Sequence, residues 1–206
     1  MNATNGEQSS PSYKIVFLGA SGVGKSSICH YFIKGEFSTD LASTVGATFH
    51  LQKLKVGDVS VKLKVWDTAG QERFRSLLPM YYKACQGALI VYDMTNRESF
   101  ESAQSYLQLL RNQAEDAEVL LIANKCDLAH MRTVSMQEGM RQASNEGIAY
   151  LETSAKSGQN VKDAVQTLTE KVYHKLHKEM SPNKDTVTLD SKPTAEAEDR
   201  RNGCSC

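Results

Sequence analysis

Near its N-terminus the chain reads Gly19-Ala20-Ser21-Gly22-Val23-Gly24-Lys25-Ser26, which satisfies the pattern G-x-x-x-x-G-K-[ST]. Each residue type in it suits a polyphosphate. Glycines let the backbone wrap a phosphate with its N–H groups turned inward. A helix opening at Lys25 adds positive potential, Lys25 reaches the terminal phosphates, and the Ser26 hydroxyl can ligate Mg²⁺. Ser21, Gly22, Val23, Gly24, Lys25, Ser26 and Ser27 are the candidate phosphate-binding residues. Such a loop does not by itself choose a base or a reaction, because ATPases, nucleotide kinases and GTPases share it.

The base is read at Asn124-Lys125-Cys126-Asp127, which follows the apolar run Val119 to Ala123. That places it at the carboxyl end of a buried strand, where ligands sit in open α/β sheets. The carboxylate of Asp127 can accept from the adjacent ring N–H and exocyclic NH₂ of guanine, a pair that adenine lacks. A site built on such a bond rejects the analogue without it by about 10⁴-fold or more. Thr153-Ser154-Ala155-Lys156, after the last expected strand, and the phosphate loop about a hundred residues upstream support reading this segment as a base site rather than a solvated turn.

These side chains need a scaffold that brings distant loops together. Tyr13 to Leu18 is a short apolar strand running into the glycine turn, and Lys25 to Lys34 reads as a helix. Val59, Val61, Leu63 and Val65 alternate with polar residues, and Gly57-Asp58 joins them in an antiparallel hairpin to a strand near Phe49 to Val56. Ala88 to Tyr92 and Val119 to Ala123 are continuous apolar runs that suit central parallel strands buried on both faces, with Ile148 to Leu151 as the last strand. Thr95 with Glu98, and Ser135 with Glu138, fit the S/T-x-x-E capping box and are each expected to open a helix. Val161, Ala164, Val165, Leu168, Val172 and Leu176 recur at helical spacing and predict a final helix packed on the sheet. The alternation is that of an α/β domain.

Composition bounds the rest. The 206 residues suit one domain with a surplus. Residues 1–12 and 181–206 are too polar to bury a core, which leaves 13–180 as the folded domain. Twenty-four basic and 24 acidic side chains cancel, so no global field draws the chain to nucleic acid. No apolar run approaches the roughly 20 residues of a transmembrane helix. Residues 1–12 carry no apolar signal segment, and five irregular cysteines make no disulfide framework, which points to a reducing compartment. Cys29, Cys85 and Cys126 read as small apolar fillers, and the five histidines form no metal-ligand set.

The phosphate loop, Thr44, the run Trp66-Asp67-Thr68-Ala69-Gly70-Gln71-Glu72, Asn124-Lys125-Cys126-Asp127 and Ser154-Ala155-Lys156 stand in the order and spacing of the Ras superfamily. The resemblance covers about residues 13 to 178. WDTAGQERFRSL at 66–77, Tyr81-Tyr82, GALIVYDMT at 87–95 and the terminal Cys204-Ser205-Cys206 are most similar to the Rab branch. The resemblance implies a Ras-like P-loop NTPase: a six-stranded, mostly parallel sheet with one antiparallel strand, flanked by five helices, cycling between GDP and GTP. It implies Mg²⁺ held by Ser26, Thr44 and Asp67. Gly70 would sense the γ-phosphate, catalytic Gln71 would orient the attacking water, and Phe37 would lie against guanine. Leu41 stands three positions before Thr44, where many relatives carry a tyrosine. Phe49, Trp66 and Tyr81 correspond to the aromatic triad that meets effectors, although alternating strands also bury such residues. Gly46-Ala47-Thr48-Phe49 is closer to endocytic members.

From Gly35 to Thr48 there is no Arg or Lys, so this loop supplies no cation to the transition state and hydrolysis should await a partner's arginine. By the same resemblance the partners are an exchange factor, a GTPase-activating protein, a GDP-dissociation inhibitor, a prenylation escort and effectors. Cys204 and Cys206 would each carry a geranylgeranyl group. Residues 181–206 hold four basic and five acidic side chains, so charge cannot hold a membrane and two lipid chains must. The expected location is the cytoplasmic face of an intracellular membrane, endosomal by that similarity, in exchange with cytosol. Two other classes share the phosphate loop or the fold but suit the sequence less well. A P-loop kinase or ATP-driven enzyme would need an acceptor pocket or lid that no insertion provides. A non-hydrolysing nucleotide-dependent scaffold is opposed by the intact Lys25, Thr44, Asp67 and Gln71.

Overall fold

The structure is a computed structural model and describes residues 10–71 and 78–178. Residues 1–9 and the expected tail lie outside the described residues, with Cys204 and Cys206, and so do positions 72–77 of the WDTAGQERFRSL run. In chain order the elements are β1 (Ser12–Leu18), α1 (Lys25–Lys34), β2 (Ala47–Val56), β3 (Val59–Thr68), α2 (Leu78–Tyr82), β4 (Gly87–Asp93), α3 (Arg97–Arg111) and β5 (Glu118–Asn124). A 3-10 helix (Cys126–Met131), α4 (Met136–Asn145), β6 (Ala149–Glu152) and α5 (Val161–Lys178) complete them.

The strands form one sheet in the order β2-β3-β1-β4-β5-β6, in which only β2 runs antiparallel. This is the Ras-like architecture expected from the sequence. Alternation along β1 explains its two layers. Tyr13, Ile15 and Phe17 enter a core with α1 and α5, while Val16 and Leu18 enter the opposite core with Tyr106, Leu107 and Leu110 of α3. β4 is buried throughout its length, as its unbroken apolar run requires. Chain order reverses at β1, whose neighbours are β3 and β4, so a crevice opens beyond its carboxyl end.

Two local expectations are corrected. Ser135 and Glu138 form the reciprocal capping box, but Asn96, not Thr95, caps α3, its side chain accepting from the Ser99 N–H at 3.0 Å. Thr95 is instead drawn back to β4, donating through N–H and hydroxyl to Asp93 Oδ1 at 2.8 and 2.7 Å. The first strand starts at Ser12, inside the segment expected to lack structure, and Lys62 N–H donates to the Pro11 carbonyl at 2.8 Å. Pairing with β3 needs no apolar side chain there.

Candidate nucleotide-binding site

The turn between β1 and α1 is shaped by glycines whose missing Cβ the fold requires. Gly24 caps α1 at φ 96°, and a Cβ on it would strike the Asn124 amide. A Cβ on Gly70 would strike Lys25 Nζ and the Ala20 backbone, so the end of β3 can approach the loop only with glycine there. Between these segments lies a cavity of about 190 Å³. Ser21, Gly22, Gly24, Lys25, Ser26 and Ser27 form one wall, and Leu41, Thr44, Gly70 and Gln71 form the facing one. Val23 is buried behind the loop, and Asn124 Nδ2 donates to its carbonyl at 2.8 Å.

Lys25 is buried, and its ammonium donates to the carbonyls of Gly19 (2.9 Å) and Ala20 (2.8 Å). Two of its three N–H donors fix it at the cavity wall, and the third is free to meet a phosphate. Burial lowers Lys25 to about 8, with Asp67 opposing, and an anionic ligand would raise it back toward its ordinary value. The hydroxyls of Ser26 and Thr44 stand 2.7 Å apart. Asp67 is buried beside them, and its Oδ1 has no hydrogen-bond partner among the described residues. Burial pushes the Asp67 carboxyl up, against the hydroxyls of Ser26 and Thr44 and the charge of Lys25.

One carboxylate and two hydroxyls are hard oxygen donors, and they fit Mg²⁺. No cluster of three or more His, Cys, Asp or Glu suited to a metal occurs among the described residues. An ion held by Ser26, Thr44 and Asp67 would take its remaining ligands from phosphates and water.

The segments expected to read the base are tied together across the sheet. Asn124 Oδ1 accepts from Thr153 Oγ1 (3.1 Å) and from the Ala155 N–H (3.2 Å), so one buried amide braces three loops. Ser154 Oγ donates to Asp127 Oδ1 at 2.6 Å, which orients that carboxylate and leaves its other oxygen available. Lys125 adopts φ 68°, a left-handed conformation disfavoured for residues with a Cβ, and its ammonium pairs with Asp93 Oδ2 at 2.6 Å. Burial alone would raise Asp93, but hydrogen bonds from Lys125 and Thr95 and the lysine charge bring it below its ordinary value.

No sequence motif above marks Asp93 as a site residue. The signal was available, since an acid ending a buried apolar strand needs a partner. Other candidates do not line the cavity. Phe37 is exposed and outside the cavity lining, and Lys156 is exposed. Phe49 is 44% exposed on the outer face of β2, so the strands do not bury it. Its ring lies 5.1 Å from Trp66, which lies 5.7 Å from Tyr81. Cys29 and Cys85 are buried fillers as expected. Cys126 is only half-buried, its thiol 3.5 Å from Gln159 Oε1.

Comparison with known proteins agrees with this geometry. The sequence model of the Ras family matches residues 14–174. The chain is 40% identical over 201 residues to Ras-related protein Rab2BV of Beta vulgaris, covering 94% of each. It is 43% identical over 167 residues to RABA2b of Arabidopsis thaliana, covering 81% of this chain and 78% of that one. The same identity and length relate it to Rab11C of Lotus japonicus, covering 81% and 77%.

Proposed function

Because the chain belongs to the Rab branch of the Ras family of GTPases, we propose a switch in which the γ-phosphate of GTP holds Thr44 and Gly70, and its loss frees them. The protein binds GTP and GDP and hydrolyses GTP. The observation that carries the switch is that Thr44, Gly70 and Gln71 share one cavity with Lys25 and Ser26, although they come from separate loops. In the proposed roles, the backbone from Ser21 to Ser27 and the Lys25 ammonium grip the phosphates. Ser26, Thr44 and Asp67 would hold Mg²⁺. Mg²⁺ held there would supply positive charge against the charge of the phosphates.

Gln71 orients a water whose oxygen bonds to the γ-phosphorus as the bond to the β-phosphate oxygen breaks, leaving GDP and phosphate. Among the described residues lining the cavity, Lys25 is the sole cation, which supports slow hydrolysis until an activating partner adds another. Asp127 accepts from both guanine donors, braced by Ser154, and Asn124, Lys125, Ala155 and Lys156 frame the base with Phe37 from the loop.

The same reading takes Phe49, Trp66 and Tyr81 as the effector surface and assigns an exchange factor, a GTPase-activating protein, a GDP-dissociation inhibitor and a prenylation escort as partners. Geranylgeranyl groups on Cys204 and Cys206 would hold the chain at the cytoplasmic face of an intracellular, endosomal membrane. Hydrogen exchange tests the switch. Replacing GDP by a non-hydrolysable GTP analogue should increase protection at Thr44 and Gly70, and identical patterns would overturn it.

A further inference from the structure

The outer face of the β2–β3 hairpin carries a stripe of lysines that the nucleotide cycle does not use. Register puts Phe49 opposite Trp66, Leu51 opposite Lys64, Lys53 opposite Lys62, and Lys55 opposite Ser60, all on one face. β1 adds Lys14 beside Lys64. Lys53, Lys55, Lys62 and Lys64 are exposed, and none of the five lysines enters an ion pair among the described residues. Lys14 lies 5.3 Å from the centre of the Trp66 ring, so the stripe and the aromatic cluster are continuous.

This concentration stands out in a chain whose formal net charge is zero. Like charges directly opposite one another destabilise a strand pair, so Lys53 facing Lys62 costs the folded protein something. Lysines on an edge strand can serve only to deter sheet-to-sheet pairing. That role covers Lys53 and Lys55 on β2, but not Lys62 and Lys64 on β3 or Lys14 on β1, which lie inside the sheet.

We propose that this stripe is a docking surface for an acidic protein segment, one that lays a row of Asp or Glu along Lys53, Lys62, Lys64 and Lys14 and places an apolar side chain against Phe49 and Leu51. The proposal rests on the reading of Phe49, Trp66 and Tyr81 as the effector surface and specifies the chemistry of its partner. Charge complementarity selects the occupant. A second copy would set one basic stripe against another. The chain's own residues 181–206 are nearly balanced, with four basic and five acidic side chains. Four alternating positions on β2 span roughly 20 Å, the length of an extended or helical segment. Apolar residues at one end of the stripe fix the direction of such a segment.

The test uses the full chain, loaded with GDP or a GTP analogue, and a synthetic peptide that alternates Glu with Leu and ends in Trp. A Gln-for-Glu peptide and phosphatidylserine vesicles serve as comparison probes. The acidic peptide should bind, weaken steeply with added salt, and lose about tenfold or more in affinity to the Lys53→Gln, Lys62→Gln, Lys64→Gln variant. Lys62→Glu should lose affinity while raising the melting temperature, because it turns a repulsive cross-strand pair into an attractive one. That combination separates lost docking from lost folding. Equal binding of both peptides, unchanged affinity in the triple variant, or lysine-dependent binding of vesicles alone would overturn the proposal. If Phe49→Ala leaves acidic-peptide binding intact while the triple variant abolishes it, the aromatic reading fails and the lysine stripe stands.

Discussion

Lys125 shows how a single residue is held in a conformation it would not choose. A left-handed backbone on a residue with a Cβ costs on the order of 1 kcal/mol or more, and the strand end must over-determine it. The ion pair to Asp93 and the Leu128 N–H donated to the Lys125 carbonyl at 2.9 Å do so. Asp93→Asn should therefore loosen Lys125 and quicken GDP release by about fivefold, the worth of a partly exposed ion pair, with the fold intact. Release of a fluorescent GDP analogue measures this, and an unchanged rate would remove Asp93 from the site's supports. At Gln71 the loss should fall on chemistry instead. Gln71→Leu removes the amide proposed to orient the water but leaves Lys25 and the loop, so GTP affinity should hold while single-turnover cleavage slows, with or without an activating partner.

Elements are joined here by side chains at their ends. Glu138 closes the capping box of α4 and also receives Arg97 Nη1 of α3 at 2.8 Å, so one carboxylate ties two helices together. The Arg97 hydrogen bond, followed by those of Ser135, holds Glu138 down to about 2, against an ordinary 4.5. A carboxyl lowered on folding contributes fully above its unfolded value and loses that contribution as pH falls through the folded one. Stability from Glu138 should thus be complete at neutral pH and be mostly lost between about pH 4.5 and pH 2. Melting temperatures of the protein and of Glu138→Gln should differ at pH 7 and converge by pH 2; a constant gap would show that shape, not charge, is what Glu138 provides.

At the scale of the whole molecule, charge is arranged rather than absent. The chain is formally neutral, yet one sheet face carries five lysines and the nucleotide cavity only one. Among the described residues no helix is long and apolar enough to cross a membrane. With one more acid than base in residues 181–206, the proposed attachment depends on lipid at both terminal cysteines. Replacing Cys204 or Cys206 alone by Ser should leave weak, reversible attachment. Replacing both should send the protein to the soluble fraction of a cell lysate while GTP affinity stays the same. Undiminished membrane recovery of the double variant would assign the attachment to another surface.

Local order in this protein is written locally. The apolar run of β1, the glycine turn and α1 from Lys25 to Lys34 were legible residue by residue, because a strand, a phosphate loop and a helix each depend on neighbours within a few positions. The buried runs of β4 and β5 and the hairpin at Gly57-Asp58 were legible for the same reason, as was the strand end that carries Asn124 to Asp127. Where two local signals competed, the sequence could not choose. Thr95 and Asn96 both suit a helix start, and the acceptor on Asp93 drew Thr95 away. Other features exist only after strands are ordered: Asn124 reaching Val23 across 101 residues, Asp93 meeting Lys125, and Thr44 meeting Ser26. Sheet order also decides that helices cover the β4–β5 side and leave Phe49, Trp66 and the lysines of β2 and β3 outward. Periodicity says which residues share a face, but only packing says whether anything covers that face.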